Sequence, residues 1–369
     1  MTERPFVKVN MNNAKPLYLQ IKEFFLSEIE KGTYKIGDKI QGEEEISSQL
    51  KVSTGIVRKA ILELVDEGIL IRRPRLGTSV AKLPSETFIK QKTKTIGVVF
   101  TNFQGQYMSN VLDGINLRSS QDDYHLIVCN SNHSPQNESK YIDELIERNV
   151  DGVIVFPTAV PRAGRPLTSH YKKLNRLNIP FVLIDRYFPS YKTDCVVYND
   201  YNATKEIVKN AINLGHKKIG MISREIYAST AIDRKKGYKD ALLESGIDYN
   251  PNIVVNHEKY SMPSIIDIFI NEKVTCIFTL TDHFAFNLIL ALKKRNYSIP
   301  KDFSIISFGI NEGTELLDPP IYGVVMHSTL MGKRAAEILI NKISNPSTQT
   351  LHEILPYEIS NGFSVKDLR

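Results

Sequence analysis

The stretch "EEEISSQLKVSTGIVRKAILELVDEGILIRRPRLGTSV", residues 43–80, decides the fold of the first part of the chain. Apolar side chains recur at helical spacing over residues 56–65, and Gly68 then ends the helix. Ser53 is a good N-cap for this helix. Residues 69–83 have the pattern of two short strands joined by a turn. Helices followed by a small hairpin predict a winged helix-turn-helix.

Another helix precedes this stretch. The segment "LYLQIKEFFLSEIEKG", residues 17–32, has apolar side chains at helical spacing and stops at Gly32. Glu43, Glu44 and Glu45 open the next helix, where the helix dipole favours negative charge. The first part of the chain is therefore predicted to contain three helices and a two-stranded wing.

The helix that follows Ser53 has an outward face suited to DNA. In a helix-turn-helix the second helix enters the major groove, and its N-terminal residues meet base edges. Arg58 can offer a bidentate fork to guanine, whereas Lys59 carries a point charge suited to phosphate. The predicted contacts from this helix are Ser53, Thr54, Gly55, Arg58 and Lys59.

The hairpin after this helix is basic. No acidic residue lies between Gly68 and Ser85, so no neighbour in sequence neutralises its arginines. On a wing beside a recognition helix they can neutralise phosphates or enter the minor groove. The alternative is an ordinary solvated face, which the position beside a recognition helix disfavours. The predicted wing contacts are Arg72, Arg73, Arg75, Gly77 and Thr78.

The chain changes character after a polar, aperiodic linker at residues 84–94. Short apolar runs, several of them β-branched, then alternate with amphipathic segments, a pattern typical of parallel sheets covered by helices on both faces. The strands are too many for one sheet of usual size, so two similar lobes are expected. The amphipathic segments are 107–120, 138–149, 202–214, 230–245, 261–272 and 283–296.

Composition and termini indicate a cytoplasmic protein. The 369 residues suffice for two or three domains, and a formal charge of +6 is compatible with an anionic partner. Cys129, Cys195 and Cys276 form no C-x-x-C pair, so no disulfide framework or zinc site is indicated, and buried thiols are expected at Cys129 and Cys276. No signal peptide and no span long enough to cross a bilayer are visible, so no membrane partner is expected.

The segment "GDKI…EEEISSQLKVSTGIVRKAILELVDEGILIRR…GTSV" resembles the winged head of the GntR (gluconate-repressor) family, over residues 16–82. That family usually has Pro-Ser where this chain has Gln41 and Gly42. It also commonly has arginines where this chain has Glu44 and Thr54. The arginines that would make two of the contacts expected of the family are therefore replaced. More of the DNA binding is expected from Arg58 and the wing.

The remaining chain, from about Thr95 to Ser364, resembles the effector domain of LacI/GalR-type repressors, which share the fold of periplasmic sugar-binding proteins. The resemblance rests on segments taken in order. They are "IGVVFTN", "VDGVIVFP", "IPFVLIDR", "NDYNATKEIVKNAINLGHKKIGMIS", "DRKKGYKDALLESGI", "IPKDFSIISFG" and "PPIYGVVMHS". A GntR head on such a sensor is the combination seen in arabinose-repressor-like regulators.

The two resemblances imply an α/β protein with an N-terminal winged helix-turn-helix and a two-lobed, parallel-sheet effector domain of the type I periplasmic-binding class. The expected DNA-binding domain is 1–83, with a linker at 84–94 and an effector and dimerisation domain at 95–369. Lobe 1 is expected at about 95–187 and 327–351, and lobe 2 at about 188–326 and 352–369, with three crossings between them.

Ligands in open α/β lobes bind at the carboxyl ends of strands, so residues just after each strand are candidates. The resemblance places an aromatic that can stack on a sugar ring at Tyr107, and Arg234 at the arginine of the pattern T-x-x-x-R-x-x-G-Y. Arginine forks and carboxylates can each hold adjacent hydroxyls. The predicted ligand-binding residues are Asn102, Tyr107, Asp185, Arg186, Arg234, Thr281 and Asp282.

Structural roles compete with several of these assignments. Asp282 is equally explained as the N-cap of a helix beginning at His283, and Asp185 with Arg186 as a local ion pair. For Arg234 a polyol or anionic partner is favoured, because burying an unpaired arginine is costly. His327 is expected to have a structural role.

One departure limits the identity of the ligand. LacI-type sensors usually read (F/Y)-D-D where this chain has Phe308, Gly309 and Ile310, so an acidic hydroxyl-binder is missing. Asn311 and Glu312 are possible substitutes. The expected effector is a monosaccharide such as a pentose or deoxyhexose, and arginines in the cleft leave a sugar phosphate open.

No enzyme motif is visible. The sequence has no Walker loop, G-x-S-x-G elbow or H-E-x-x-H pair, and the eight histidines lack metal-ligand spacing. No cofactor or metal is therefore expected. The alternatives kept open are a sugar-binding protein without a DNA role and a cytoplasmic sugar enzyme, although no catalytic constellation can be named.

The resemblances imply a homodimer whose two heads read a pseudo-palindromic operator on double-stranded DNA. A sugar that binds one lobe arrangement better than the other would change the spacing or freedom of the heads. Repression relieved by sugar is the usual behaviour of such regulators.

Overall fold

The computed structural model describes residues 7–10, 16–74, 76–81, 92–103, 105–161, 168–189, 191–310 and 317–369. It divides the chain into two compact units, Met1–Thr93 and Lys94–Arg369, here called the head and the sensor. Some predicted features lie outside the described residues: Arg75, Asn311, Glu312 and residues 84–91 of the linker.

In the described part of the head there are three helices and a hairpin, as the sequence predicts. The helices are α1 (Leu17–Glu30), α2 (Glu43–Leu50) and α3 (Thr54–Asp66), and the hairpin consists of β1 (Leu70–Arg73) and β2 (Gly77–Val80). The two strands pair antiparallel. The apolar stripes of the three helices meet in one core, whose buried members include Ile21, Phe25, Ile46, Val57, Ile61 and Leu64.

Backbone conformation at three positions shapes the head. Lys51 is left-handed (φ 53°) and makes the tight turn from α2 to α3. Ser53 occupies the N-cap of α3 in an extended conformation, although its side chain makes no capping hydrogen bond. Gly77, at the start of β2, has φ 88°, a conformation that favours glycine. The wing therefore turns sharply beside α3.

The first lobe of the sensor is a six-stranded, all-parallel sheet. Its strands are β3 (Thr95–Phe100), β4 (His125–Asn130), β5 (Gly152–Val155), β7 (Phe181–Ile184), β8 (Asp194–Tyr198) and β15 (His352–Leu355). Their order is β15-β8-β7-β5-β3-β4. The helices of this lobe are α4 (Gln106–Ser119), α5 (Pro135–Glu147), α6 (Ser169–Arg176) and α11 (Ser328–Ser344).

The second lobe repeats this arrangement. Its strands are β9 (Ile219–Ser223), β11 (Val254–Asn256), β12 (Cys276–Thr279), β13 (Ser304–Ile310), β14 (Tyr322–Val325) and β16 (Glu358–Ile359). Their order is β11-β9-β12-β13-β14-β16, and β16 alone runs antiparallel to its neighbour in this sheet. The helices of this lobe are α7 (Asp200–Asn213), α8 (Ser229–Glu244), α9 (Met262–Asn271) and α10 (Asp282–Lys294). The α/β, two-lobed, parallel-sheet class is therefore confirmed.

The chain passes between the lobes at three points: β8 to α7, β14 to α11, and β15 to β16. Two of the expected lobe boundaries are wrong. Residues 194–198 pair with β7 and residues 352–355 pair with β8, so both strands belong to the first sheet and not to lobe 2. The strand at 194–198 is buried along its whole length, and such strands look alike in sequence whichever sheet they join. The strand at 352–355 is a mostly exposed edge strand, and nothing in its sequence indicates which sheet it joins.

Two helices of the first lobe touch backbone to backbone. A Cβ added at Gly332 of α11 would overlap the carbonyl oxygen of Val111 in α4, and one at Gly114 would overlap that of Thr329. Glycine is therefore required at both positions by the close approach of α4 and α11. This contact fixes the start of α11, directly after the second crossing, on the first lobe.

The cysteines are free thiols. Cys195 and Cys276 are buried, but Cys129 is only partly buried, contrary to expectation. It lies on β4, the edge strand of the first sheet, where fewer neighbours cover it. Burial still raises the pKa of its thiol.

Candidate DNA-binding surface and effector cleft

The outward face of α3 is exposed at every predicted contact. The opposite face of the helix buries Val57, Ala60, Ile61 and Leu64 in the core of the head. This burial orients the helix so that its other side is open to solvent within the head. The exposed residues are Ser53, Thr54, Gly55, Arg58 and Lys59.

One carboxylate joins the recognition helix to the wing. Glu43, in the first turn of α2, accepts a hydrogen bond from Nε of Arg58 at 2.9 Å. Its other oxygen lies 3.1 Å from Nη2 of Arg72 on β1. The side chain of Glu43 is 13% exposed, whereas those of Arg58 and Arg72 are 58% and 50% exposed. Because Arg58 uses Nε for this bond, its two terminal nitrogens stay available for a base or phosphate.

This bridge supplies the wing with an acid from outside its own stretch of sequence. No acid near Arg72 in sequence is available, yet Glu43 reaches it from another helix. Arg73 is exposed, and Thr78 is half-buried in β2. Lys59 lies over the ring of Tyr18 in α1, 3.7 Å from its centroid, a geometry that holds the ammonium group in place.

A buried polar group lies where β3 and β7 end. The hydroxyl of Tyr107 donates to Oδ1 of Asp185 at 2.8 Å, and Nε of Arg186 lies 3.4 Å from Oδ2 of Asp185. Arg186 also donates to the carbonyl of Pro157 at 2.9 Å and stacks on Phe156. The predicted ion pair of Asp185 with Arg186 is therefore present. Asp185 has φ 66°, an uncommon conformation that is enriched at functional sites.

The second lobe adds a buried arginine beside this group. Nε of Arg234 in α8 donates to Oδ1 of Asp200 at 2.6 Å, and Nη1 donates to the carbonyl of Leu280 at 2.6 Å. Its guanidinium lies 3.7 Å from the ring centroid of Phe308. Arg234 is 6% exposed. Its anionic partner is therefore a residue of the chain, Asp200, which the sequence analysis missed because the two positions are 34 residues apart.

The Asp185–Arg186 pair of the first lobe and the Asp200–Arg234 pair of the second lobe influence each other electrostatically. Burial, opposed by Arg234 and assisted by Asp185, raises the pKa of Asp200 to about 7. Burial and the nearby Asp185 and Asp200 raise the pKa of Tyr198. Among the described residues the hydroxyl of Tyr198 has no hydrogen-bond partner, although the residue is 4% exposed. An unsatisfied buried hydroxyl beside two carboxylates indicates a site that a polar molecule can complete.

Nearer the surface the cleft is lined by paired charges and imidazoles. Nδ2 of Asn102 lies 3.1 Å from Nε2 of His133, so Asn102 is in the cleft but already engaged. Burial, with Arg186 and Arg224 nearby, lowers the pKa of His133. Arg224, which directly follows β9, pairs with Glu258 at 3.2 Å. His133 and Arg224 were not among the predicted residues, and no motif in the sequence marks them.

The remaining predictions concern helix starts. Helix α10 begins at Asp282, with Thr281 as its N-cap residue, so the alternative that made Asp282 the N-cap is wrong by one position. The carboxylate of Asp282 accepts the backbone N–H of His283 at 2.7 Å. His327 occupies the N-cap position of α11, and its ring lies 3.3 Å from Glu358.

A pocket of about 580 Å³ lies beside the second and third crossings. None of the predicted ligand residues lines it. Most of its walls are apolar, and it opens next to the first turn of α11. Its described lining is Asn110, Ile310, Val325, Met326, His327, Ser328, Thr329, Leu330 and Pro356. The hydrogen-bonding groups of both lobes converge in the polar cleft and not in this pocket.

No helix in the described ranges is long and apolar enough to span a bilayer. No group of three or more histidine, cysteine, aspartate or glutamate side chains in that part of the chain is placed to hold a metal ion.

Two family profiles match the chain. Residues 17–80 match "Bacterial regulatory proteins, gntR family", and residues 208–365 match "Periplasmic binding protein-like domain". The chain therefore combines a GntR-type winged helix-turn-helix head with a periplasmic-binding-protein-like sensor. This combination defines the class of DNA-binding transcriptional regulators that carry a ligand sensor.

Relatives with similarity over most of the chain belong to the same class. The arabinose metabolism transcriptional repressor of Geobacillus stearothermophilus is 28% identical over 350 residues, which cover 92% of this chain and 94% of that protein. The probable HTH-type transcriptional regulator EndR of Paenibacillus polymyxa is 29% identical over 259 residues, 69% of this chain and 74% of that protein.

Solved structures share the fold of the sensor. The transcription regulator CcpA of Lactococcus lactis superposes with a TM-score of 0.67 at 22% identity, over 74% of this chain and 100% of that chain. A LacI family transcriptional regulator from Enterococcus faecium with bound ribose gives a TM-score of 0.65 at 24% identity, over 74% and 100%. At these identities the likeness concerns the fold alone.

Proposed function

We propose that this protein is a sequence-specific transcriptional regulator of carbohydrate utilisation genes, whose DNA binding is controlled by a small sugar. The head binds double-stranded operator DNA through α3 and the wing. The sensor binds the sugar between its lobes. A relative that matches nearly the whole chain, the Geobacillus stearothermophilus protein, is a transcriptional repressor of arabinose metabolism. We therefore propose repression that the sugar relieves. We place the protein in the cytoplasm, where the operator DNA is found.

The observation that carries the DNA-binding half is the bridge at Glu43. It holds one arginine of the recognition helix and one of the wing on the same carboxylate. A guanidinium fixed through Nε presents its terminal nitrogens in one orientation, which suits bidentate reading of guanine. A solvated basic face has no such requirement for orientation.

The sugar-binding half rests on the composition of the cleft. Asp185, Arg186, Asp200 and Arg234 place acceptors and donors from both lobes side by side, as adjacent hydroxyls of a polyol require. Polar groups that converge from two lobes also give a ligand different contacts in the open and closed arrangements, which is the condition for allosteric control.

Charge pairing favours an uncharged sugar over a sugar phosphate. Each of three arginines near the cleft has a carboxylate partner: Arg186 with Asp185, Arg224 with Glu258, and Arg234 with Asp200. At Arg186 and Arg234 a phosphate group would have to displace a buried carboxylate, Asp185 or Asp200, and leave it without its arginine, which is costly. A hydroxyl can insert beside such a pair and bond to both members.

We propose a homodimer that reads a pseudo-palindrome. Phe286 and Leu290 lie four positions apart on α10 and are 45% and 44% exposed. Residues at this spacing share one face of a helix, and large exposed apolar side chains of this kind are typical of a protein interface. Two-fold pairing would present two heads to two half-sites.

A test separates the two halves of the proposal. An operator is first selected from a random DNA library with the wild-type chain, and binding is then measured with and without sugars. Arg58→Ala should weaken operator binding by about 10- to 100-fold and blur base preference, the cost of one bidentate base contact. Arg234→Lys, which keeps the charge but loses the planar fork, should bind operator normally and lose the sugar response. Unchanged binding by Arg58→Ala would exclude α3 as the recognition helix.

A further inference from the structure

A short pair of strands joins the two lobes of the sensor. β6 (Val160–Pro161) follows β5 of the first lobe, and β10 (Ile226–Tyr227) follows β9 of the second. They pair antiparallel, with Val160 opposite Tyr227. Pro161, opposite Ile226, has no backbone N–H, so at that position only its carbonyl can take part in the pairing.

This pairing lies far from the crossings. In the second sheet the strands that lead into crossings are β14 and β16, at one end of the order β11-β9-β12-β13-β14-β16. β9, which leads into β10, is next to the opposite end. Adjacent strands are about 4.8 Å apart, so the pairing is displaced by some 14 Å from β14 across the sheet. A contact at that distance from the hinge opposes separation of the lobes effectively, because a small rotation about the hinge moves its two strands far apart.

Tyr187 makes a second set of bonds between the lobes. Its backbone N–H donates to Oγ of Ser229 at 3.1 Å, and its hydroxyl donates to Oδ2 of Asp233 at 3.4 Å. Both acceptors lie in the first half of α8. Tyr187 directly follows Asp185 and Arg186, and Asp233 directly precedes Arg234. The bonds therefore tie the ligand-binding segment of one lobe to that of the other.

The segment between β5 and β6, residues 156–159, here called the arm, is hydrogen-bonded to the rest of the first lobe. The backbone N–H of Thr158 donates to Oε2 of Glu138 at 2.5 Å, and the hydroxyls of Thr158 and Ser131 lie 3.1 Å apart. Glu138 is buried and also accepts from Tyr171 at 2.5 Å. A rigid arm transmits a pull at β6 to the whole lobe.

We propose that the β6–β10 pairing and the Tyr187 bonds form a latch that stabilises the closed arrangement of the lobes through contacts of the protein itself. Effector can then enter or leave only when the latch opens, so the strength of the latch sets how readily the sensor responds. The inference rests on the proposed sensor function, because a latch has consequences only if the cleft opens and closes.

Cross-linking in the full chain tests the pairing. Cysteines are introduced by Val160→Cys and Tyr227→Cys, and the disulfide formed under mild oxidation is followed by mass spectrometry without reduction. The control pair is Val160→Cys with Leu243→Cys, since Leu243 is exposed on α8 and some 20 Å along the helix from Ser229. The native cysteines are the same in both. The latch predicts a cross-link at least tenfold faster in the first pair, and equal rates would overturn it.

Amide hydrogen exchange tests the contribution of Tyr187. Tyr187→Phe removes only the bond to Asp233, so opening and exchange of the amide at position 187 should become about fivefold faster, the equilibrium equivalent of one hydrogen bond. Tyr191→Phe is the matched control, because the Tyr191 hydroxyl bonds to Asn175 within the first lobe. Ser229→Ala removes the acceptor of this amide itself, so exchange at position 187 should become faster still. If neither variant exchanges faster than the control, Tyr187 is not part of a latch.

Neither test uses DNA or sugar, so the two proposals can fail separately. A chain that forms the latch but gives no sugar-responsive DNA complex retains the latch and loses the proposed function. A chain that responds to sugar on DNA but fails both tests loses the latch alone.

Discussion

Glu43 is the acid that contacts arginines of both α3 and the wing, and its position beside them has a measurable consequence. Glu43→Gln removes one negative charge from the surface and weakens the hold on Arg58. We expect binding to random DNA to strengthen, because repulsion of phosphate falls, while discrimination between operator and random DNA falls by about tenfold, within the range for one base contact. Fluorescence anisotropy on both DNAs measures the ratio.

The control for this prediction is Glu44→Gln, because Glu44 is the exposed neighbour in the same helical turn. It should raise both affinities by a similar factor and leave their ratio unchanged. An unchanged ratio in Glu43→Gln as well would show that the bridge does not orient Arg58.

Asp200 makes the stability of the sensor depend on pH. Its pKa is raised from an ordinary 3.8 to about 7, chiefly by burial. Between these values the folded chain binds more protons at this group than the unfolded chain, so its contribution to the free energy of unfolding falls as pH rises from about 4 to 7 and is constant above. The slope is at most about 1.4 kcal/mol per pH unit.

Denaturant unfolding of wild type and Asp200→Asn at pH 5, 6, 7 and 8 measures this slope. The unfolding free energy of the wild type minus that of the variant should decrease from pH 5 to 7 and then stay constant. A difference that is constant over the whole range would mean that Asp200 titrates at its ordinary pKa.

At the scale of elements, the wing and the recognition helix have separable roles. Arg73 is exposed on β1, with no fixed orientation comparable to that of Arg58. Arg73→Ala should weaken binding uniformly across DNA sequences and reduce the slope of log K against log salt by about 0.9, the value for one phosphate contact. Lys301→Ala, an exposed lysine of the sensor, should leave the slope unchanged. Loss of base preference in Arg73→Ala would instead assign the wing to base reading.

Elements were predictable where their signals are local. The periodicity of residues 56–65 and the stop at Gly68 depend on neighbours a few positions apart, and α3 ends where expected. Contacts over long separations were not predictable. Glu43 meets Arg72 across 29 positions, Asp200 meets Arg234 across 34, and the strand at 352–355 joins the first sheet beside residues 194–198. Residue types alone do not encode which partner is reached.

The same limit applied to the cleft. Asp185, Arg186 and Arg234 were identifiable because they follow strands or fit a family pattern, and the structure brings them together. His133, Asp200 and Arg224 also come after strands, but their partners lie at distant positions in sequence and are seen only in the folded lobes. Arg234 needs no external partner, because Asp200 within the chain pairs with it.

At the scale of the whole molecule, the proposed dimer is the feature that turns a ligand signal into a DNA response. Phe286→Glu with Leu290→Glu places two charges on the exposed face of α10 and should convert a dimer to monomers in sedimentation velocity. Operator affinity should fall by at least tenfold, because each head then binds one half-site alone. Leu243→Glu, on α8, is the control. A dimer that survives the double substitution would place the interface elsewhere.

Control of operator binding by a sugar is tested most directly with a binding isotherm of the wild-type chain on its selected operator. The isotherm is repeated with a panel of pentoses, hexoses and deoxyhexoses and their phosphates. One uncharged sugar should change the operator Kd by at least tenfold, and its phosphate should not. If no specific operator complex forms while calorimetry detects sugar binding, the protein is a sugar-binding protein without a DNA role, and the account is contradicted.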